Sequence, residues 1–138
     1  MKRWIFGSAR IDSVAANLGL AAFRAFAGFA LMYGHGLGKM PPSEGFIQGT
    51  ANMGFPLPVL FAWAAALSET VGGALMALGL ATRPAALFVA CTVGTAAFVR
   101  HAADPFGRKE LALMFFFAAV MFLCTGGGRF SLDRFIQK

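Results

Sequence analysis

Four apolar stretches, at residues 15–37, 57–80, 84–103 and 110–125, dominate the chain. They are divided by Pro41-Pro42, Pro56 and Pro58, by Thr82-Arg83-Pro84, and by Asp104-Pro105, and Gly126-Gly127-Gly128 closes the last. A hydrocarbon core about 30 Å thick takes roughly 20 apolar helical residues per crossing, so four crossings use about 80. A chain of 138 residues holds four such passes and not six. Composition agrees, with 58% hydrophobic and 13% charged residues, whereas a soluble domain carries about a quarter charged. That balance argues against a secreted disulfide scaffold, a disordered tail, a collagen-like repeat and a soluble nucleic-acid-binding domain. The expectation is an all-α fold, an antiparallel four-helix transmembrane bundle in which residues 1–138 form a single domain.

The net charge of +6 lies between the apolar stretches rather than in one run or on one face, so it suits lipid headgroups and no nucleic acid. Lys2, Arg3, Arg10, Arg83, Arg129, Arg134 and Lys138 fall at one end of the helices, and Lys39, Arg100, Arg108 and Lys109 at the other. The positive-inside rule then puts both termini in the cytoplasm. The basic start, residues 1–10, has no hydrophobic stretch followed by a small-residue cleavage site, and no signal peptide is expected. Cys91 and Cys124 sit inside apolar stretches without CxxC spacing, as buried small side chains do. The longest connection, 38–56, carries Phe46-Ile47 and Met53-Gly54-Phe55; it is expected to lie along the interface or fold over the bundle mouth as a lid.

Ionisable groups inside a span cost several kcal/mol unless they face the protein and find partners. Measured from their helix ends at 1.5 Å per residue, Arg24 and Glu69 fall about 14 and 16 Å deep. An intramembrane ion pair between the first and second helices is therefore expected, as a structural staple or as part of a ligand site or proton path. His35 and Lys39 continue the Arg24 face along the first helix. Together with Arg100, His101 and Glu110 they are expected to converge on the outer mouth, as candidate ligand-binding or proton-relay groups. Glu110, expected to open the fourth helix, has a plainer role as a favourable charge at a helix N-terminus. Histidines on two helices raise the question of haem, which the absence of any further haem-binding motif makes a poor expectation. No metal site is expected, because no HxxxH, HExxH or Cys/His spacing is present.

Glu110, Met114, Phe117 and Met121 recur at spacings of four, three and four, one stripe down the fourth helix. Met114, Phe117 and Met121 have two readings: bundle core, or the lining of a pocket for a quinone or lipid-like molecule beneath the polar mouth.

Several segments together resemble the DoxX family of small four-helix membrane proteins. They are Arg24 with Gly28, His35-Gly36-Leu37-Gly38-Lys39, Met53-Gly54-Phe55-Pro56-Leu57-Pro58, and Glu69 with Gly72-Gly73. Leu78-Gly79-Leu80-Ala81-Thr82-Arg83, Glu110 and Gly126-Gly127-Gly128-Arg129-Phe130-Ser131-Leu132-Asp133 complete the set. The resemblance implies a multi-pass protein of the bacterial or archaeal cytoplasmic membrane with a loose link to quinone, thiol or sulfur oxidoreduction. The reading that follows is a small redox-associated membrane subunit binding a quinone-like or lipidic molecule or a partner oxidoreductase. A non-catalytic accessory subunit is the alternative, and small-solute or proton transport comes third. The lipid bilayer, other membrane subunits or further copies of the chain are the expected partners.

Overall fold

The computed structural model describes residues 5–136; Lys2, Arg3 and Lys138, three of the cations used to orient the chain, lie outside them. The described residues contain helices and no strands. Helix α1 (Val14–Lys39) is followed by a short α2 (Glu44–Asn52), then α3 (Pro58–Leu78), α4 (Thr82–Arg100), α5 (Phe106–Thr125) and a one-turn α6 (Leu132–Ile136). Helices α1, α3 and α4 are each long and apolar enough to cross a membrane. Helix α5 has 20 residues, about 30 Å of rise, but Arg108, Lys109 and Glu110 occupy its first turns.

Local chemistry explains these boundaries. Ser13 caps α1 by accepting from the Ala16 N–H at 3.2 Å, and Ser43 caps α2 through the Phe46 N–H at 3.3 Å. Pro58 occupies the first turn of α3, where its missing N–H has no partner to lose. Helix α3 stops at Gly79, whose φ of +69° is left-handed, and the Leu80 N–H reverses onto the Leu75 carbonyl at 2.9 Å. Helix α4 begins at Thr82 rather than residue 84, since a proline in the first turn is compatible with helix. Helix α5 begins at Phe106 rather than 110. Residue 110 is consequently not a helix-opening position.

The long helices lie side by side, α1 against α3, α3 against α4, α4 against α5, and α5 back against α1. Small residues set the spacing. A Cβ on Gly28 would come within 2.5 Å of the Ala77 nitrogen and the Gly73 carbonyl oxygen, so the α1 and α3 backbones touch there. The core is correspondingly fine-grained, with Ala27, Ala85, Ala86, Ala90 and Ala119 around Leu31, Met76, Val89, Val93 and Phe122. Large side chains such as Phe26, Phe88 and Phe117 are outside it, exposed on the helix surfaces. That inversion of ordinary soluble packing is what a lipid-facing surface requires.

Both ends of the described chain meet at one end of the helices. The Ala9 N–H donates to the Thr125 carbonyl at 2.7 Å, and the Gly128 N–H to Ser8 Oγ at 3.1 Å. We call this the terminal end and the opposite one the distal end. Helix α2 lies at the distal end against α3, with the Phe46 ring centroid 5.5 Å from Lys39 Nζ. The 38–56 connection is thus partly helical and packs beside Lys39 and Arg100.

Candidate functional site

The buried polar residues fall into two constellations, one at each end. At the terminal end Arg24 is 3% exposed and reaches not Glu69 but backbone carbonyls. Its Nη1 donates to Met76 O at 2.7 Å and Ala77 O at 2.9 Å, and its Nη2 to Phe130 O at 2.9 Å. The guanidinium therefore caps the C-terminal turn of α3, where unpaired carbonyls concentrate negative charge. Asp133, 1% exposed, does the converse at the next helix. Its carboxylate accepts from the Ala81 N–H at 2.6 Å, the Thr82 N–H at 3.0 Å and Thr82 Oγ1 at 2.7 Å, closing the N-terminus of α4. Asn17 joins by donating to Ile11 O and Ser13 O and accepting from the Arg129 N–H. These residues clamp the α3–α4 turn between α1 and the C-terminal segment.

The expected Arg24–Glu69 ion pair is absent, and the register explains why. Gly36, not Arg24, lies level with Glu69, since a Cβ on Gly36 would meet the Thr70 nitrogen at 2.7 Å and the Glu69 carbonyl carbon at 2.8 Å. Arg24 lies just over three turns below Gly36, about 18 Å along the helix. Measuring depth from the helix ends failed because the first turns of α1 extend past the end of α3, beside the C-terminal segment, where Gly128 approaches Leu20. Side chains also lean toward the N-terminus of their own helix. In antiparallel neighbours that carries Arg24 and Glu69 apart.

Glu69 belongs to the distal constellation, and its partner is Lys39. Lys39 Nζ donates to Glu69 Oε1 at 2.7 Å and to Oε2 at 2.6 Å, with Glu69 4% and Lys39 33% exposed at the side chain. The pair lines a cavity of about 200 Å³ together with His35, His101 and Arg108. Leu31, Val93, Leu111 and Phe115 supply its apolar walls. Three π-helical turns meet around it: Met32–Gly36 in α1, Ser68–Gly72 in α3 and Ala96–Arg100 in α4. Such turns insert an extra residue into the helix and re-aim side chains, and they recur at functional sites. Here they present His35, Glu69 and Ala96 to one space.

The His35 ring stands edge-on to Phe115, centroids 5.5 Å apart, and among the described residues no hydrogen bond reaches it. His101 is otherwise engaged, its Nδ1 lying 2.7 Å from Asp104 Oδ2. The bond from His101 holds the Asp104 carboxyl below the usual carboxylate range, against the opposing effect of desolvation and with help from the Arg108 charge.

Of the sequence-predicted site residues, His35, Lys39 and His101 come together, and the structure adds Glu69 and Arg108 to them. Arg100 does not join them; it is exposed, and its guanidinium lies over Gly49 of α2. Glu110 is exposed on α5 and lines no part of the cavity. Met114 and Phe117, each 64% exposed, face outward, while Met121 packs against the core. The stripe that faces the cavity is the neighbouring one, Arg108, Leu111, Ala112 and Phe115. Its spacing of three, one and three is equally helical, and Arg108 on it was a usable signal. Cys91 and Cys124 are exposed rather than buried.

The comparisons with known proteins agree with this architecture. The DoxX family model matches residues 19–102. The chain is 36% identical over 108 residues to the inner membrane protein YphA of Escherichia coli (strain K12), covering 72% of this chain and 77% of that protein. It is 31% identical over 123 residues to "Putative oxidoreductase CatD" of Bacillus subtilis (strain 168), covering 88% and 90%. No solved structure matches it. With three helices long and apolar enough to cross a bilayer and more than half its length matched, the chain is a multi-pass cell-membrane protein and belongs to the DoxX family.

Proposed function

We propose that this protein is a redox-associated membrane subunit that holds the ring of a quinone-like molecule in its distal cavity. In this reading α1, α3, α4 and α5 all cross the bilayer, both termini are cytoplasmic and the cavity opens toward the outer face. The observation that carries it is the meeting of three π turns on one space with an unpaired imidazole beside a buried carboxylate paired to a partly exposed ammonium.

The donor set fits a carbonyl-bearing ring. His35 has a ring nitrogen free to bond a carbonyl or hydroxyl oxygen, Phe115, Leu31 and Val93 offer apolar faces, and Lys39 supplies a second donor. A cavity of about 200 Å³ is smaller than most drug-sized sites, which suits a ring alone. When bound, a quinone supplies two-electron, two-proton redox chemistry. The chain's part is to orient the ring between apolar walls and hold a proton at Glu69 Oε or a His35 nitrogen. That a similar protein carries the name "Putative oxidoreductase" supports the redox setting; the electron donor or acceptor is assigned to a partner subunit.

The test is titration of the full chain in lipid nanodiscs with a decyl-tailed benzoquinone. His35→Ala is expected to weaken binding about tenfold, near 1.4 kcal/mol, with the melting temperature unchanged. Equal affinities for the wild type and the variant refute the assignment.

A further inference from the structure

The cavity is bounded unevenly. Helix α5 packs closely along α4 but only thinly against α1, even in the Val14–Leu31 part, where Phe23 and Phe122 lie 5.7 Å apart. Beside the distal Met32–Gly36 turn its contact with α1 is sparse, and the His35–Phe115 ring contact spans that interval. Leu111 carries the sharper clue, since it lines the cavity and is still 53% exposed. Arg108, 74% exposed at the side chain, lines the same rim about one turn nearer the distal end. A cation followed one turn deeper by an exposed leucine is the order of a headgroup layer over acyl chains.

From this we infer that the distal cavity opens sideways into the bilayer between α1 and α5, and that its ligand is an amphiphile whose ring sits inside while its apolar tail leaves past Leu111. The inference rests on the quinone-like reading above and adds the path and the need for a tail. The ring contact of His35 with Phe115 forms the floor of the opening, and Leu111 sets its width. A water-soluble ring without a tail fills the same cavity but forgoes the contacts along the gap, so affinity depends on the tail and on Leu111 together.

Photocrosslinking of the full chain in nanodiscs tests this with a benzoquinone whose decyl tail carries a diazirine near the ring. Adducts mapped by mass spectrometry are expected on Leu31, Leu111, Met114 and Phe115, and are expected to be suppressed by excess tetramethylbenzoquinone. Leu111→Trp is expected to weaken both ligands, the tailed quinone about tenfold more than the tailless ring. Suppressible adducts confined to α2 or α4, or equal weakening of both ligands, would overturn the sideways path while leaving the ring site standing. The absence of any suppressible adduct, with no binding of either quinone, would overturn the path and the ring site together.

Discussion

At the scale of single residues, the Lys39–Glu69 pair is where charge chemistry decides the outcome. Glu69 is almost fully buried and Lys39 two-thirds so. Removing the cation strands a carboxylate in a poorly solvated place, which costs about 3–5 kcal/mol for a fully buried pair. Water reaching the exposed third of Lys39 reduces that, so Lys39→Met is expected to destabilise the protein by about 2 kcal/mol. Combining it with Glu69→Gln is expected to restore most of the loss, because no buried charge then remains. Denaturation in detergent of the two single variants and the double measures this, and additive losses would contradict it. Asp104 gives the pH dependence. A carboxyl whose folded pKa is depressed adds stability above its ordinary value of about 4, and loses it as pH falls toward the folded pKa. The rim at residues 101–104 is therefore expected to stay protected at neutral pH and loosen only in acid. Hydrogen exchange at the Asp104 amide, which donates to His101 O at 3.1 Å, reports it. In Asp104→Asn that acid step is expected to vanish.

At the scale of elements, the terminal clamp and the glycine crossings fix how the helices meet. Arg24 serves three carbonyls with a planar fork that an ammonium cannot reproduce, so even Arg24→Lys is expected to destabilise. Asp133→Asn keeps one acceptor oxygen but loses the charge that draws three donors; a loss of about 2 kcal/mol is expected. Thermal melts of both variants, with quinone affinity of the surviving folded protein unchanged, would separate this clamp from the cavity. A fall in affinity at unchanged stability would show the division to be wrong. Helix positions were legible because apolar runs and Gly/Pro punctuation are local signals. The register was not, since it depends on how far α1 outreaches α3 and on Gly28 and Gly36 seating against the α3 backbone. Which stripe of α5 faces inward was signalled by Arg108 alone. In a bilayer both faces of a helix are apolar, so Met114 and Phe117 look as suited to the core as Leu111 and Phe115.

At the scale of the whole molecule, two buried polar groups that sequence reasoning joined into one staple serve opposite ends. Convergence of His35, Lys39 and His101 was readable from helix order and polarity; Glu69 as the partner of Lys39 was not, for the same reason of register. Orientation rests on charge outside the described residues. Arg10, Arg83, Arg129 and Arg134 are balanced by Lys39, Arg100, Arg108 and Lys109, leaving Lys2, Arg3 and Lys138 to break the tie. With Cys91 and Cys124 replaced by Ser, a cysteine at Gln48 is expected to react with an impermeant maleimide in intact cells. Labelling only after lysis would invert the topology. The central claim, that the π-turn cavity is the ligand site, is tested most directly by an experimental density map of the protein with the decyl-tailed benzoquinone bound. The account expects the ring beside the His35 imidazole, against Phe115 and Val93, with Lys39 and Glu69 at its edge. A ring found only on the lipid-facing surface, away from His35, would contradict it.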